Sequence, residues 1–267
     1  MTGDIWHFQG GIASATGRVR SVNQDSGYLD SRMVMIADGV GGGPAGEIAS
    51  RLIVRSLVKL LNENVNALST TSELRCLLAT ANGYIADHIE LNPDHRGMAT
   101  TLSAIIPLGN QMAIVHIGDS RIYLLRHSRL FQITRDDSVV QDLLDSGLIT
   151  RDEALNHPLR NMLVHSLAGA LSDSGFITLI PLSPHSGDRW ILCSDGISDY
   201  LDNALFSQIC RLNDDAASLA DHLVDTACLY SRDNCSAAIV DVVAEESHIP
   251  EVFVGAACDH KYFECRA

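Results

Sequence analysis

Three apolar stretches of this chain each run straight into an aspartate. They are Met33-Val34-Met35-Ile36-Ala37-Asp38, Ala113-Ile114-Val115-His116-Ile117-Gly118-Asp119 and Trp190-Ile191-Leu192-Cys193-Ser194-Asp195. Short apolar runs bounded by turn formers read as strands, which sets these carboxyls beside one sheet edge. A fourth acid, Asp233, stands just before the strand-like run Cys235–Val243, and a fifth, Asp25, lies in a loop ahead of the first strong strand. Carboxylates gathered in one cleft repel each other and lose hydration unless cations compensate. Carboxylates, backbone carbonyls and water are hard donors, so Mg²⁺ or Mn²⁺ suits them better than structural zinc. Gly39 and Gly196 follow two of the acids and leave room for a sharp turn, and Gly39 can present its own carbonyl. Asp-Gly is also an ordinary turn signal, so spacing by itself leaves both readings open.

The rest of the chain supplies a frame for that edge. Further β-like stretches are Thr101–Ile106, Arg121–Arg126 and Phe176–Ile180, and the turns Leu108-Gly109-Asn110 and Gly118-Asp119-Ser120 suit an antiparallel meander. Apolar residues near the 3.6 period predict long helices from Gly46 to about Asn66 and from Ser72 to about Leu91. Shorter helices are predicted over Ser138–Ser146, Leu201–Arg211 and Asp215–Tyr230. Thr70 with Glu73 and Thr150 with Glu153 fit capping boxes. Strands and helices come in blocks, which favours an antiparallel core with helices on its outer faces over regular βαβ alternation. No repeat array or linker divides the 267 residues, so one domain is expected.

Charge and cysteine usage narrow the function classes. A formal charge of −14 disfavours a broad nucleic-acid or anionic-membrane surface. No apolar run reaches the roughly 18 residues of a spanning helix, and the opening Met1-Thr2-Gly3-Asp4-Ile5-Trp6 lacks a leader pattern, so the expected address is cytoplasmic, without membrane insertion. Seven cysteines are scattered and never form a CxxC pair, against a disulfide scaffold or thiolate zinc site. Gly39-Val40-Gly41-Gly42-Gly43 matches neither common nucleotide-phosphate pattern. No HxxxH or HExxH motif and no G-x-S-x-G elbow is present, which disfavours His-based metallohydrolase and serine chemistry. His116 reads as a hydrogen-bonded core histidine, and Cys193 and Cys235 as small buried strand residues.

From Gly11 to Val243 the sequence resembles the bacterial branch of the metal-dependent Ser/Thr protein phosphatases, the PP2C or PPM family. The resemblance is carried by Gly17-Arg18-Val19-Arg20-Ser21-Val22-Asn23-Gln24-Asp25 and by Ala37-Asp38-Gly39-Val40-Gly41-Gly42-Gly43-Pro44-Ala45-Gly46-Glu47. It continues through Ala99-Thr100-Thr101, Gly118-Asp119-Ser120-Arg121, Ser194-Asp195-Gly196 and Asp233-Asn234-Cys235-Ser236. It implies an α+β fold, a four-layer αββα sandwich with two central antiparallel sheets. It further implies that Asp38 bridges two Mn²⁺ or Mg²⁺ ions and their nucleophilic water, and that Gly39 lends a carbonyl. Asp195 and Asp233 complete the first metal's ligands, Asp25 acts through metal-bound water, and Asp119 serves a third, weaker metal. Arg20 resembles the family's phosphate-binding arginine, whose planar fork suits phosphate oxygens.

The implied activity is hydrolysis of phosphoserine and phosphothreonine by direct attack of water. Implied partners are phosphorylated proteins and a cognate bacterial Ser/Thr kinase or its substrates, with the chain a monomer. The alternatives are a catalytically weak phosphoprotein-binding regulatory module and a hydrolase of small phosphoesters. Some motif positions depart from the family pattern. Gln24 replaces a glutamate near the metal-bound water, Ala99 a glycine, and Asp137 the histidine of an Asp-His-Ser element. The stretch Ser138–Ala168 resembles a flap beside the cleft. Residues 1–244 are thus expected to form the phosphatase domain, with 245–267 an extension that adds an edge strand, trails as a tail or docks a partner.

Overall fold

The computed structural model describes residues 6–40, 45–64, 67–212 and 214–259. In chain order the first half holds β1 (His7–Ala15), β2 (Asp25–Leu29), β3 (Val34–Asp38), α1 (Gly46–Asn64), α2 (Thr71–Leu91), β4 (Leu102–Leu108), β5 (Gln111–Ile117), β6 (Arg121–Arg126) and β7 (Arg129–Gln132). The second half holds α3 (Val139–Asp145), α4 (Arg151–Leu155), α5 (Asp173–Phe176), β8 (Thr178–Leu182), β9 (Arg189–Cys193), α6 (Asp195–Ser198), α7 (Asn203–Cys210), α8 (Ala216–Ala227), β10 (Cys235–Val243) and β11 (Val252–Gly255). The strands form two antiparallel sheets, ordered β1-β10-β9-β6-β7 and β11-β2-β3-β4-β5-β8.

Strand alternation shows why four layers result. In β3, Met35 and Ala37 face α1 and α2, while Val34 and Ile36 face the opposite sheet. In β10, Ala237 and Ile239 pack under α7 and α8, while Ala238 and Val240 join Trp190, Phe8 and Ile36 between the sheets. Side chains alternate with period two, and both faces of these two inner strands are covered, so their sequences read as unbroken apolar runs. The fold is therefore an α+β sandwich with helices on both outer faces, as the resemblance implied.

The helix starts follow their caps. Thr70 and Glu73 close a reciprocal box at α2, and Thr150 and Glu153 another at α4. The predicted α1 begins at Gly46 as expected, and its predicted last residues, Val65 and Asn66, lie outside the described residues. Pro181 sits inside β8, one residue past the predicted strand end. As the last strand of its sheet, β8 has one unpaired edge, where a missing backbone donor is tolerated.

The segment after Ala244 adds β11 to the edge of β2. Phe253 packs on Tyr28 at 4.8 Å between ring centroids, Arg55 lies over Phe253 at 4.3 Å, and the Arg55 Nε donates to the Ala257 carbonyl at 2.7 Å.

Candidate active site

The acids collect where strands from both sheets end. Asp25 opens β2 and Asp38 closes β3, and the two are direct cross-strand partners. Asp195 follows β9 and Asp233 precedes β10, neighbouring antiparallel strands whose register pairs Cys193 with Ala237. Asp119 lies in the connection from β5 to β6, beside Arg121, which pairs with Cys193. One sheet thus provides Asp25 and Asp38, and the other is flanked by Asp195 and Asp233.

Like charges opposite each other in a sheet are unfavourable, and the electrostatics register this. Loss of hydration in the cleft, then the charges of Asp25, Asp195 and Asp119, push the Asp38 carboxyl well above the usual carboxylate range. Desolvation followed by Asp195 and Asp136 does the same to Asp119, and desolvation followed by Asp199 and Asp233 raises Asp195. Asp25 is completely buried, and burial raises it despite the Ser236 and Ser194 hydroxyls. The Ser194 hydroxyl donates to Asp25 Oδ2 at 2.9 Å, a bond from one sheet to the other.

The orphaned acceptor among these groups is informative. Asp25 Oδ1 is buried and has no hydrogen-bond partner among the described residues, although its carboxyl faces that of Asp38. Two facing acceptors without a donor need a proton or a cation between them. Hard oxygen donors of one charge, one of them orphaned, fit a divalent cation of the Mg²⁺ or Mn²⁺ type. Among the described residues, no three His, Cys, Asp or Glu side chains already form a group able to hold a metal ion. Asp233 is instead engaged by Arg20, whose Nη2 donates to Asp233 Oδ2 at 2.7 Å. That hydrogen bond is the largest influence raising the Arg20 pKa.

Neighbouring residues hold these side chains in place. Asn234 donates to the carbonyls of Thr16 and Val22 at 2.9 and 3.0 Å and accepts from the Gln24 backbone N–H at 2.8 Å, which pins the loop bearing Arg20. Thr101 Oγ1 accepts from the Asp38 N–H, and Thr100 Oγ1 donates to the Asp38 carbonyl, each at 2.9 Å. Asp137 Oδ2 accepts from the Gly118 N–H at 3.0 Å and so fixes the turn that carries Asp119. The Gln24 amide donates to Glu47 at 3.2 Å. Gly39 and Gly196 are needed for contact within the protein itself. A Cβ on Gly39 would collide with the Gly46 carbonyl, and one on Gly196 with the Asn234 carbonyl. Gly41–Pro44 of the glycine-rich run lie outside the described residues.

The sequence sets the five acids at or near strand ends, and the structure brings them to one edge. Ser194, Asn234 and Thr101 stand in the motifs that carry the resemblance, but the sequence assigns them no positioning role, because their partners lie far away in the chain. His116 is, as expected, a core histidine, between Ser103 Oγ at 3.1 Å and the Arg135 carbonyl at 2.9 Å.

A groove of about 940 Å³ runs from Asp119 between the α3–α4 stretch and the α6–α7 stretch, walled by Asp136, Val140, Leu155, Asp199 and Tyr200. Among the described residues, it meets the predicted site at Asp119 only.

Residues 17–227 match the Protein phosphatase 2C family. The chain belongs to this family. The PP2C assignment extends to its bacterial, metal-dependent Ser/Thr branch. The chain is 39% identical over 231 residues to the serine/threonine protein phosphatase PstP of Mycobacterium tuberculosis, an alignment spanning 86% of this chain and 44% of the relative. It therefore spans less than half the length of that relative. It is 34% identical over 237 residues to the serine/threonine phosphatase stp of Listeria monocytogenes, 84% of this chain and 92% of the relative. The crystal structure of M. tuberculosis PstP/Ppp superposes with a TM-score of 0.80 at 38% identity, covering 88% of this chain and 98% of that one. A PstP catalytic domain in complex with two manganese ions gives 0.80 at 36% identity, covering 90% and 100%. Among the described residues, no helix of this PP2C chain is long and apolar enough to cross a membrane.

Proposed function

We propose that this chain is a monomeric protein phosphatase that hydrolyses phosphoserine and phosphothreonine in proteins and so opposes a Ser/Thr kinase. The observation that carries this reading is the buried, donorless Asp25 Oδ1 set against Asp38 at the edge where the other acids gather. Asp38, the Gly39 carbonyl, Asp195 and Asp233 would hold two cations, with Asp25 reached through water and Asp119 serving a third. Mn²⁺ or Mg²⁺ held there lowers the pKa of water and neutralises charge on the phosphoryl oxygens.

The protein's own groups do the remaining work. Arg20, 37% exposed in its side chain, can exchange Asp233 for two oxygens of an incoming phosphate. Thr100 and Thr101 keep the Asp38 backbone in place, and Ser194 orients Asp25, so these acids need little reorganisation. The leaving alkoxide takes its proton from water. The groove running from Asp119 gives the flanking peptide a place to lie, with the Ser138–Ala168 segment as one wall.

The test is phosphate release from a phosphothreonine peptide with Mn²⁺, with Mg²⁺ and with chelator, beside Asp38→Asn. Release is expected only with metal and should fall at least about 100-fold in the variant. Turnover that survives chelation would overturn the reading. Peptide binding without release under any condition would favour a binding module, and equal turnover of nucleotides or sugar phosphates a small-ester hydrolase.

A further inference from the structure

The last strand of the chain reaches the back of the acid cluster. The family match ends at residue 227, and β11 lies beyond it. β11 pairs with β2 in the register Val252↔Leu29, Phe253↔Tyr28, Val254↔Gly27 and Gly255↔Ser26, so its final residue comes level with the start of β2, next to Asp25. Gly255 has φ 63° and ψ −141°, a conformation closed to most residues that carry a Cβ. A Cβ there would also collide with the Asp25 carbonyl and crowd Ser14 Oγ. Only glycine lets the chain pass this close to Asp25.

Behind Asp25 the polar groups close into a ring. The Asp25 N–H donates to Asn23 Oδ1 at 3.2 Å, and Asn23 Nδ2 donates to Ser14 Oγ at 2.8 Å. Ser14 Oγ lies 2.7 Å from Ser236 Oγ, and the Ser236 N–H donates at 3.0 Å to Ser194 Oγ, the group that donates to Asp25 Oδ2. Gly255 stands against two members of this ring, Asp25 and Ser14. Helix α1 fastens the arrangement: Arg55 holds the Ala257 carbonyl and covers Phe253, and Ser50 donates to the Gln24 carbonyl at 2.6 Å.

We infer that β11 and the turn at Gly255 are a positioning element for Asp25, closing the sheet-edge side of its polar ring and thereby tightening the hold of the acid cluster on a divalent cation. The hold on Asp25 is independent of the phosphatase reading, whereas the effect on a cation rests on it. Ligands bind a cation best when their own partners are already in place, and loss of an outer partner weakens metal binding roughly 10- to 100-fold. With the strand displaced, water would reach the donorless Asp25 Oδ1, and a cation would have to compete with it.

The test compares the full chain with Gly255→Ala, Phe253→Ala and Val252→Ala. Calorimetry reads Mn²⁺ affinity, amide hydrogen exchange over Asp25–Leu29 is followed in the metal-free chain, and urea titration records stability. Gly255→Ala should weaken Mn²⁺ binding about 10-fold and speed exchange at Ser26 and Gly27, with phosphopeptide turnover recovering as Mn²⁺ is raised to saturation. Phe253→Ala, which loses its contacts with Tyr28 and Arg55, should do the same more weakly and decides the matter if Gly255→Ala does not fold. Val252→Ala, at the far end of β11 opposite Leu29, should lower the urea midpoint but leave Mn²⁺ affinity and exchange at Ser26 as in the parent. Unchanged exchange and Mn²⁺ affinity in the Gly255 and Phe253 variants overturn the inference, as does a loss of affinity that follows the urea midpoint equally in all three. If the parent binds Mn²⁺ but releases no phosphate, the phosphatase reading fails alone and Mn²⁺ affinity still decides this one. If the parent binds no Mn²⁺, the metal site and the effect on it both fall, and exchange at Ser26 and Gly27 decides the hold on Asp25.

Discussion

At the acid cluster, Asp25 is fully buried, held by a serine from the other sheet and fixed by strand pairing. On the far side of the groove, Leu148, between the seven-residue α3 and the five-residue α4, is 71% exposed, and Leu155, the last residue of α4, is 64% exposed. The acids rest on strand ends supported by three hydrophobic layers, while the overhanging segment is held mainly by helix caps and a few polar ties. The difference teaches a division of labour. On the proposed reading, groups that must hold charge in fixed places sit on the rigid sandwich, and the wall offered to a variable substrate is only lightly fastened.

The comparison can be broken at three points. Arg20→Ala removes a phosphate donor from the cluster side, and kcat/KM for a phosphopeptide is expected to fall about 100-fold while the denaturation midpoint stays close to that of the parent. A large shift in midpoint would make Arg20 chiefly structural, through its Asp233 pair. Asp136→Asn acts at the boundary, where buried Asp136 receives Arg121 Nη2 at 2.6 Å and Nε at 2.9 Å. Urea titration should show a loss of about 2 kcal/mol, because a partly buried guanidinium loses the nearer of its two counter-charges and keeps only Asp199 at 3.8 Å. Ser138→Ala removes the cap of α3, whose Oγ accepts from the Gln141 N–H at 3.2 Å, and should cost about 1 kcal/mol or less. Turnover of a small aryl phosphate should be unchanged by Ser138→Ala while phosphopeptide KM rises. If both substrates lose kcat alike, the wall belongs to the chemistry and the division fails.

Much of this was readable in the sequence because the informative strands are buried on both faces. The runs ending at Asp38, Asp119 and Asp195 became β3, β5 and β9, and the Thr70 box marked α2 to within a residue. What escaped has physical causes. β2 reads Asp25-Ser26-Gly27-Tyr28-Leu29, small and polar at its start. It is a strand because β3 and β11 pair on both sides of it and Ser50 accepts or donates at the Ser26 hydroxyl, 2.9 Å away. β1 is interrupted by Gly10-Gly11, and a Cβ on Gly11 would press into Ala217 of α8, so the residue that hides the strand signal also lets the helix approach. The five acids were visible as residues, but Ser194 on Asp25 and Asn234 on the Arg20 loop are consequences of tertiary folding.

The hydrogen bond from Ser194 to Asp25 spans the junction of the two sheets. Neither half of the molecule owns a complete set of charges, so the chemistry proposed for them requires that the halves stay docked. Loosened packing around Trp190 or Phe8, deep in the shared layer, would be felt first as misaligned carboxyls at the rim.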